Sequence, residues 1–130
     1  MENYGIDILV SRNSENVLFL SGYWPITGWS LVVVPLDGDP ILIIPRSEID
    51  YTEESWIKNI YVYEAESLEY LWNPYSFIAD ILRGLDLPRG VRVGCELSME
   101  TIATGSIAGE ASYACIPTFD LVKNVFNATL

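Results

Sequence analysis

Two runs of β-branched and apolar residues, 29–34 and 40–44, flank the connection Pro35-Leu36-Asp37-Gly38-Asp39, and no other feature of the chain constrains its fold as much. Branched side chains fit a pleated surface, and an Asp-Gly step tolerates the positive φ angles of a tight reversal. An antiparallel hairpin is therefore predicted. Upstream, residues 6–11 read as a first strand, mostly apolar and so covered on both faces of a sheet. A short helix over 14–21 should follow. Asn13 or Ser14 can accept from the free amides of its first turn, Glu15 suits the positive end of its dipole, and Gly22 supplies a left-handed stop.

Downstream of the hairpin, Ser47 is positioned to cap a helix. Its acids Glu48, Asp50, Glu53 and Glu54 read as a solvated face, with Ile49 and Trp56 together on one side. Residues 59–63 alternate as a strand, Tyr61 and Tyr63 on one face and Ile60 and Val62 on the other. Asn73-Pro74 opens a helix whose apolar stripe is Phe77, Ile78, Ile81, Leu82 and Leu85, with Gly84 and Pro88 ending it. A strand over 91–95, a weaker helix capped by Ser98, a last short strand over 113–116 and a helical pattern from Thr118 through Phe126 complete the chain. Strands and helices mostly alternate around one inserted hairpin. The expectation is a single α/β domain over residues 1–130, with a mixed sheet of about six strands and helices on both faces.

Charge narrows the function classes. Eighteen acidic side chains against seven basic ones give a net charge of −11, which repels phosphate backbones and anionic lipid surfaces, so neither nucleic acid nor membrane is an expected partner. The first residues lack a basic stretch followed by an apolar run, and the longest apolar runs are strand-sized and stopped by Pro35 and Pro45. A cytoplasmic location is expected. Cys95 and Cys115 sit in apolar surroundings and are expected as reduced, buried thiols rather than as a disulfide framework.

Few residues suggest chemistry of their own. Asp37-Gly38-Asp39 lacks the closing glutamate and the ligand number of a calcium loop, so it reads as a turn. The chain contains neither GxGxxG nor GxxxxGK[ST], which argues against a phosphate-cradling ligand module. Asp7 at the first strand and Glu96 after a later one would be the acids of a metal-dependent nuclease, if they met. Arg46, at a strand exit, and Arg12, just beyond the first strand, are candidates for binding a carboxylate through two parallel hydrogen bonds, or for answering local acids.

Several phrases in order resemble the N-terminal domain of the creatinase, prolidase and aminopeptidase P family: residues 5–10 (GIDILV), 16–23 (NVLFLSGY), the PLDG turn at 35–38, the exit Ile44-Pro45-Arg46, residues 91–96 (VRVGCE) and Phe119-Asp120-Leu121-Val122. The resemblance covers nearly the whole chain. It implies a ribonuclease H-like fold and a pita-bread catalytic metallopeptidase domain after residue 130, in the same polypeptide but absent from this sequence. That domain holds two divalent metal ions, manganese, cobalt or zinc, through two Asp, two Glu and one His, and hydrolyses bonds preceding proline. This chain has no histidine, and none of those motifs matches a position in it, so no catalytic residue, metal ligand or cofactor is carried over. Alone it is expected to be inactive. The resemblance further implies a homodimer in the full protein, with this domain contributing to assembly and to gating of the partner's active site. The loop after Gly22 is the candidate gate: Tyr23, Trp24 and Trp29 flank Pro25-Ile26-Thr27-Gly28, and aromatic faces pack well on proline rings. The same rings would equally serve to cover the sheet edge or core. Together with Arg46, these three are the substrate-gating candidates. Whether the parent is an Xaa-Pro aminopeptidase, an Xaa-Pro dipeptidase or a creatinase is left open by these residues.

Overall fold

The computed structural model describes residues 1–64, 74–88, 90–96 and 118–126. Strand β1 (Ile8–Ser11) runs into helix α1 (Ser14–Ser21), which Asn13 caps through its side-chain oxygen on the Glu15 amide. Gly22 closes the helix at φ 74°, its N–H on the Leu18 carbonyl at 2.8 Å. That conformation strains any residue bearing a Cβ. The hairpin follows as β2 (Leu31–Pro35) and β3 (Ile41–Pro45), paired antiparallel with Val32 opposite Leu42. A 3-10 helix (Arg46–Thr52) then leads towards β4 (Asn59–Tyr63), and α2 (Tyr75–Gly84), β5 (Val93–Cys95) and α3 (Thr118–Phe126) complete the described elements.

The sheet order is β4-β3-β2-β1-β5. Strand β2 is antiparallel to both neighbours, whereas β3 with β4 and β1 with β5 pair in parallel, so four strands point one way around a single reversed one. Alternation along the strands divides the core in two. Ile8, Val10, Leu31, Val33, Ile41 and Ile43 face α2 and α3, which contribute Ile78, Leu82, Leu121 and Val122. Val32, Leu42 and Ile44 face the opposite way and are covered by Val17 of α1, Tyr23 and Ile57. The expected α/β class, with helices on both faces of a mixed sheet, is what the chain adopts.

Three local expectations change. The first strand starts at Ile8 instead of residue 6, because the Asp7 carboxylate accepts the Arg92 amide at 2.9 Å and the Asp7 carbonyl takes the Leu36 amide. The segment after β3 is a 3-10 helix entered through Pro45 with no side-chain cap, so Ser47 does not start an α-helix. Along this segment Glu48 and Thr52 turn inward while Ile49 lies exposed. Glu48 is thus no part of a solvated acidic face. Five strands are present among the described residues; the sixth expected strand, over 113–116, and the helix capped by Ser98 lie outside them.

Candidate functional site

Because β1, β3, β4 and β5 run in one direction, their carboxyl ends share an edge of the sheet, the place where ligands and loops gather in open α/β folds. The lone reversed strand begins there. The loop from Gly22 to β2 therefore arrives at the same edge as Arg12, Glu48 and Glu96, the residues that follow β1, β3 and β5.

Glu48 organises this loop. Its carboxylate, 2% exposed, accepts from the Tyr23 hydroxyl and the Ile26 amide on Oε2, and from the amide and the hydroxyl of Thr27 on Oε1. Tyr23 in turn meets Ser30 Oγ at 3.3 Å. Burial pushes the Glu48 pKa above 4.5, because the charged form loses its hydration, while the amides of Ile26 and Thr27 pull in the opposite direction without prevailing. A buried carboxylate with four donors is satisfied as an acceptor and has little capacity left for an external ligand.

Beside it, Trp29 is held by its backbone. The Tyr63 hydroxyl donates to the Trp29 carbonyl at 2.8 Å and accepts the Trp29 amide at 2.9 Å, so one oxygen closes both main-chain groups just before β2 begins. Burial, the largest influence, and the nearby Glu48 charge raise the Tyr63 pKa far above the ordinary phenol value, against the opposing pull of the Trp29 backbone and of Arg12. The phenol stays protonated and available as a donor. The guanidinium of buried Arg12 lies 3.9 Å from the Trp29 ring centroid, a cation–π stack.

Glu96 forms a second anchor. It accepts from the Ser11 hydroxyl, from the amides of Arg12 and Asn13 at 2.9 Å each, and from Asn16 Nδ2 at 3.0 Å. The turn between β1 and α1 is thereby tied to the end of β5. Asp7 occupies the other end of these strands: Ile8 pairs with Val93 and Val10 with Cys95, so Asp7 and Glu96 are separated by about four residue steps, roughly 13 Å. They cannot hold a shared metal ion, and the pair needed for nuclease chemistry is not assembled. Among the described residues no cluster of three His, Cys, Asp or Glu could bind a metal ion. Burial and the Glu96 charge raise the Cys95 thiol pKa, which is the wrong direction for a nucleophile.

The four gating candidates fall in different places. Tyr23 and Trp29 are 1% and 2% exposed, their rings within the two cores. Trp24, between them, is 50% exposed, and Ile26 is 45% exposed on the same loop. Arg46 is solvated and pairs with Glu64 at 3.3 Å, an answer to a local acid. The loop thus sends the Tyr23 and Trp29 rings into opposite cores and leaves Trp24 half-exposed between them, while Arg46 faces its own salt bridge. Sequence reasoning missed Glu48 and Tyr63 as the groups that shape the loop; the only prior signal was that a phenol on the inner face of β4 needs a polar partner.

A family model described as the creatinase/prolidase N-terminal domain matches residues 1–117. The chain belongs to that family. The creatinase/prolidase N-terminal domain of an X-Pro dipeptidase from Streptococcus pyogenes is similar, with 14% identity, TM-score 0.65, and coverage of 98% of this chain and 88% of that one. A proline dipeptidase from Streptococcus pneumoniae has 19% identity and TM-score 0.61, over 99% of this chain and 81% of that one. The prolidase from Pyrococcus horikoshii OT3 matches 98% of this chain with 28% of its own, at 18% identity and TM-score 0.59. In that archaeal prolidase the creatinase/prolidase N-terminal fold is one part of a longer polypeptide. No curated protein sequence matches the chain. Among the described residues no helix is long and apolar enough to cross a membrane.

Proposed function

We propose that this creatinase/prolidase N-terminal domain is the non-catalytic part of a proline-directed metallopeptidase, an Xaa-Pro dipeptidase or Xaa-Pro aminopeptidase, acting in the cytoplasm. It serves homodimer assembly and narrows the mouth of the partner subunit's active site. The observation that carries this reading is the loop at 23–28: four hydrogen bonds to buried Glu48 fix it from within while Trp24 and Ile26 project outward. A rigid apolar edge of this kind loses little entropy when a proline ring or a neighbouring surface packs on it. The family match and the solved prolidases support the assignment to this enzyme class.

The two divalent ions of the reaction belong to the catalytic domain. The chain has no histidine, and its described acids do not fit them: Glu48 and Glu96 are engaged by internal donors, and Asp7 lies at the far end of the sheet. The test is hydrolysis of Xaa-Pro dipeptides with added Mn²⁺. The 130-residue chain should give no turnover, and metal-dependent turnover would overturn the reading. In the polypeptide that includes the catalytic domain, Trp24→Ala should change KM for proline-containing substrates or admit longer peptides. Unchanged KM and length selection would remove the gating role.

A further inference from the structure

We infer that Glu48 is the positioning residue of the 23–28 loop, and that its ionised carboxylate is what presents Trp24 and Ile26 as one rigid outward edge. The loop has few other holds. Tyr23 and Trp29 fasten its two ends in the cores, but between them the polar bonds of Ile26 and Thr27 all go to the one carboxylate. Each oxygen serves two donors, so neither can be lost without freeing part of the loop. All four donors come from residues 23–27, two of them backbone amides and two hydroxyls, and the acceptor comes from the 3-10 helix more than twenty positions later.

Protonation of Glu48 places a hydrogen where a donor now sits and converts charge-assisted bonds into neutral ones. The groups that face this carboxylate are the Tyr23 phenol from the loop and the Tyr63 phenol from β4, with the Arg12 guanidinium reaching Tyr63 from beyond β1. Among the described residues no second carboxylate contributes to the Glu48 shift, so the loop amides report the Glu48 charge. Desolvation raises the Glu48 pKa, against the opposing pull of the Ile26 and Thr27 amides. The consequence for substrate passage rests on the peptidase reading above; the hold on the loop does not.

The experiment is a pH titration of the ¹⁵N-labelled chain by NMR, following the Ile26 and Thr27 amide protons together with the Glu48 side-chain carboxyl carbon. The three should titrate with one midpoint. Glu48→Gln should abolish the titration of both amides. Thr27→Ala, which removes one donor and leaves the carboxylate in place, should keep the titration of Ile26. Amides that ignore the Glu48 midpoint in the unsubstituted chain would overturn the inference, whether or not Glu48→Gln folds. None of these readouts needs peptidase activity, so a chain that fails the hydrolysis test can still pass this one, and the reverse.

Discussion

Replacing Tyr63 with Phe removes a single oxygen and keeps the ring that packs in the core with Ile41 and Ile43. That oxygen closes the Trp29 amide at 2.9 Å and the Trp29 carbonyl at 2.8 Å, in a place where Tyr63 is 3% exposed and water cannot substitute. Each buried backbone group left without a partner costs about 1–3 kcal/mol, so Tyr63→Phe should destabilise the fold by about 2–6 kcal/mol in total. For a domain of this size that corresponds to a fall in Tm on the order of 10 °C. Urea unfolding followed by far-UV circular dichroism measures it, with Tyr61→Phe as control. Tyr61 shares the strand but is 39% exposed, and its hydroxyl should matter by less than about 0.5 kcal/mol. The two variants also differ in alkali. A phenol whose folded pKa is raised contributes stability fully below its unfolded value of about 10 and loses it as pH rises through the folded value, because the unfolded chain releases its proton first. The unsubstituted chain should therefore weaken above about pH 10 more steeply than Tyr63→Phe. A destabilisation below about 1 kcal/mol, or equal alkaline slopes, would refute the bond pair as the support of Trp29.

Three further outcomes are expected. Gly22→Ala should cost about 1–3 kcal/mol in urea unfolding, since φ is 74° and the new Cβ would stand 2.5 Å from the Trp56 ring; a cost near zero would show that the turn re-forms without its left-handed residue. Arg46→Ala should leave stability within about 0.5 kcal/mol, because its bridge to Glu64 is solvent-screened, and a larger loss would reveal a partner beyond that carboxylate. Lowering pH through the Glu48 midpoint should shift the loop amides without weakening the whole fold through this residue. A buried acid with a raised pKa favours folding in its protonated form, so this contribution is complete below about pH 4 and fades as pH rises through the folded pKa. Comparing unfolding free energies of the unsubstituted chain and Glu48→Gln across that range should show the gap between them widening as pH rises, and a constant gap would reject the coupling.

The fold was legible where local chemistry and long-range pairing agree. Asn13 and Gly22 bound α1 through bonds to their own neighbours, and Asp37-Gly38 joins two runs that pair with each other, so both features could be read from adjacent residues. The loop site was not readable this way. Nothing in the series Glu48, Asp50, Glu53, Glu54 distinguishes the one acid that turns inward, because its donors lie 21 to 25 positions earlier and meet it only after β2 and β3 have paired. Trp29 posed the same problem. Its ring type suits either a surface or a core, and the choice is made by the hydroxyl of Tyr63, 34 positions later. Arg46 looked like a binding group at a strand exit, yet the neighbouring carboxylate of Glu64 is at hand to occupy it.

Parallel pairing of β1 with β5 joins residues about 85 positions apart, and during synthesis this contact must wait. The hairpin can form on the ribosome as soon as its turn emerges, and it can recruit β1 on one side. The other side of β1, with Ile8, Leu9 and Val10, stays an open apolar border until residues 93–96 leave the exit tunnel. Closing such a distant pair is slow, and the nascent chain is exposed to misassociation for that interval. Glu96 arrives in the same moment as β5 and fastens the β1–α1 corner, ahead of α3, whose Leu121 and Val122 cover this face of the sheet afterwards.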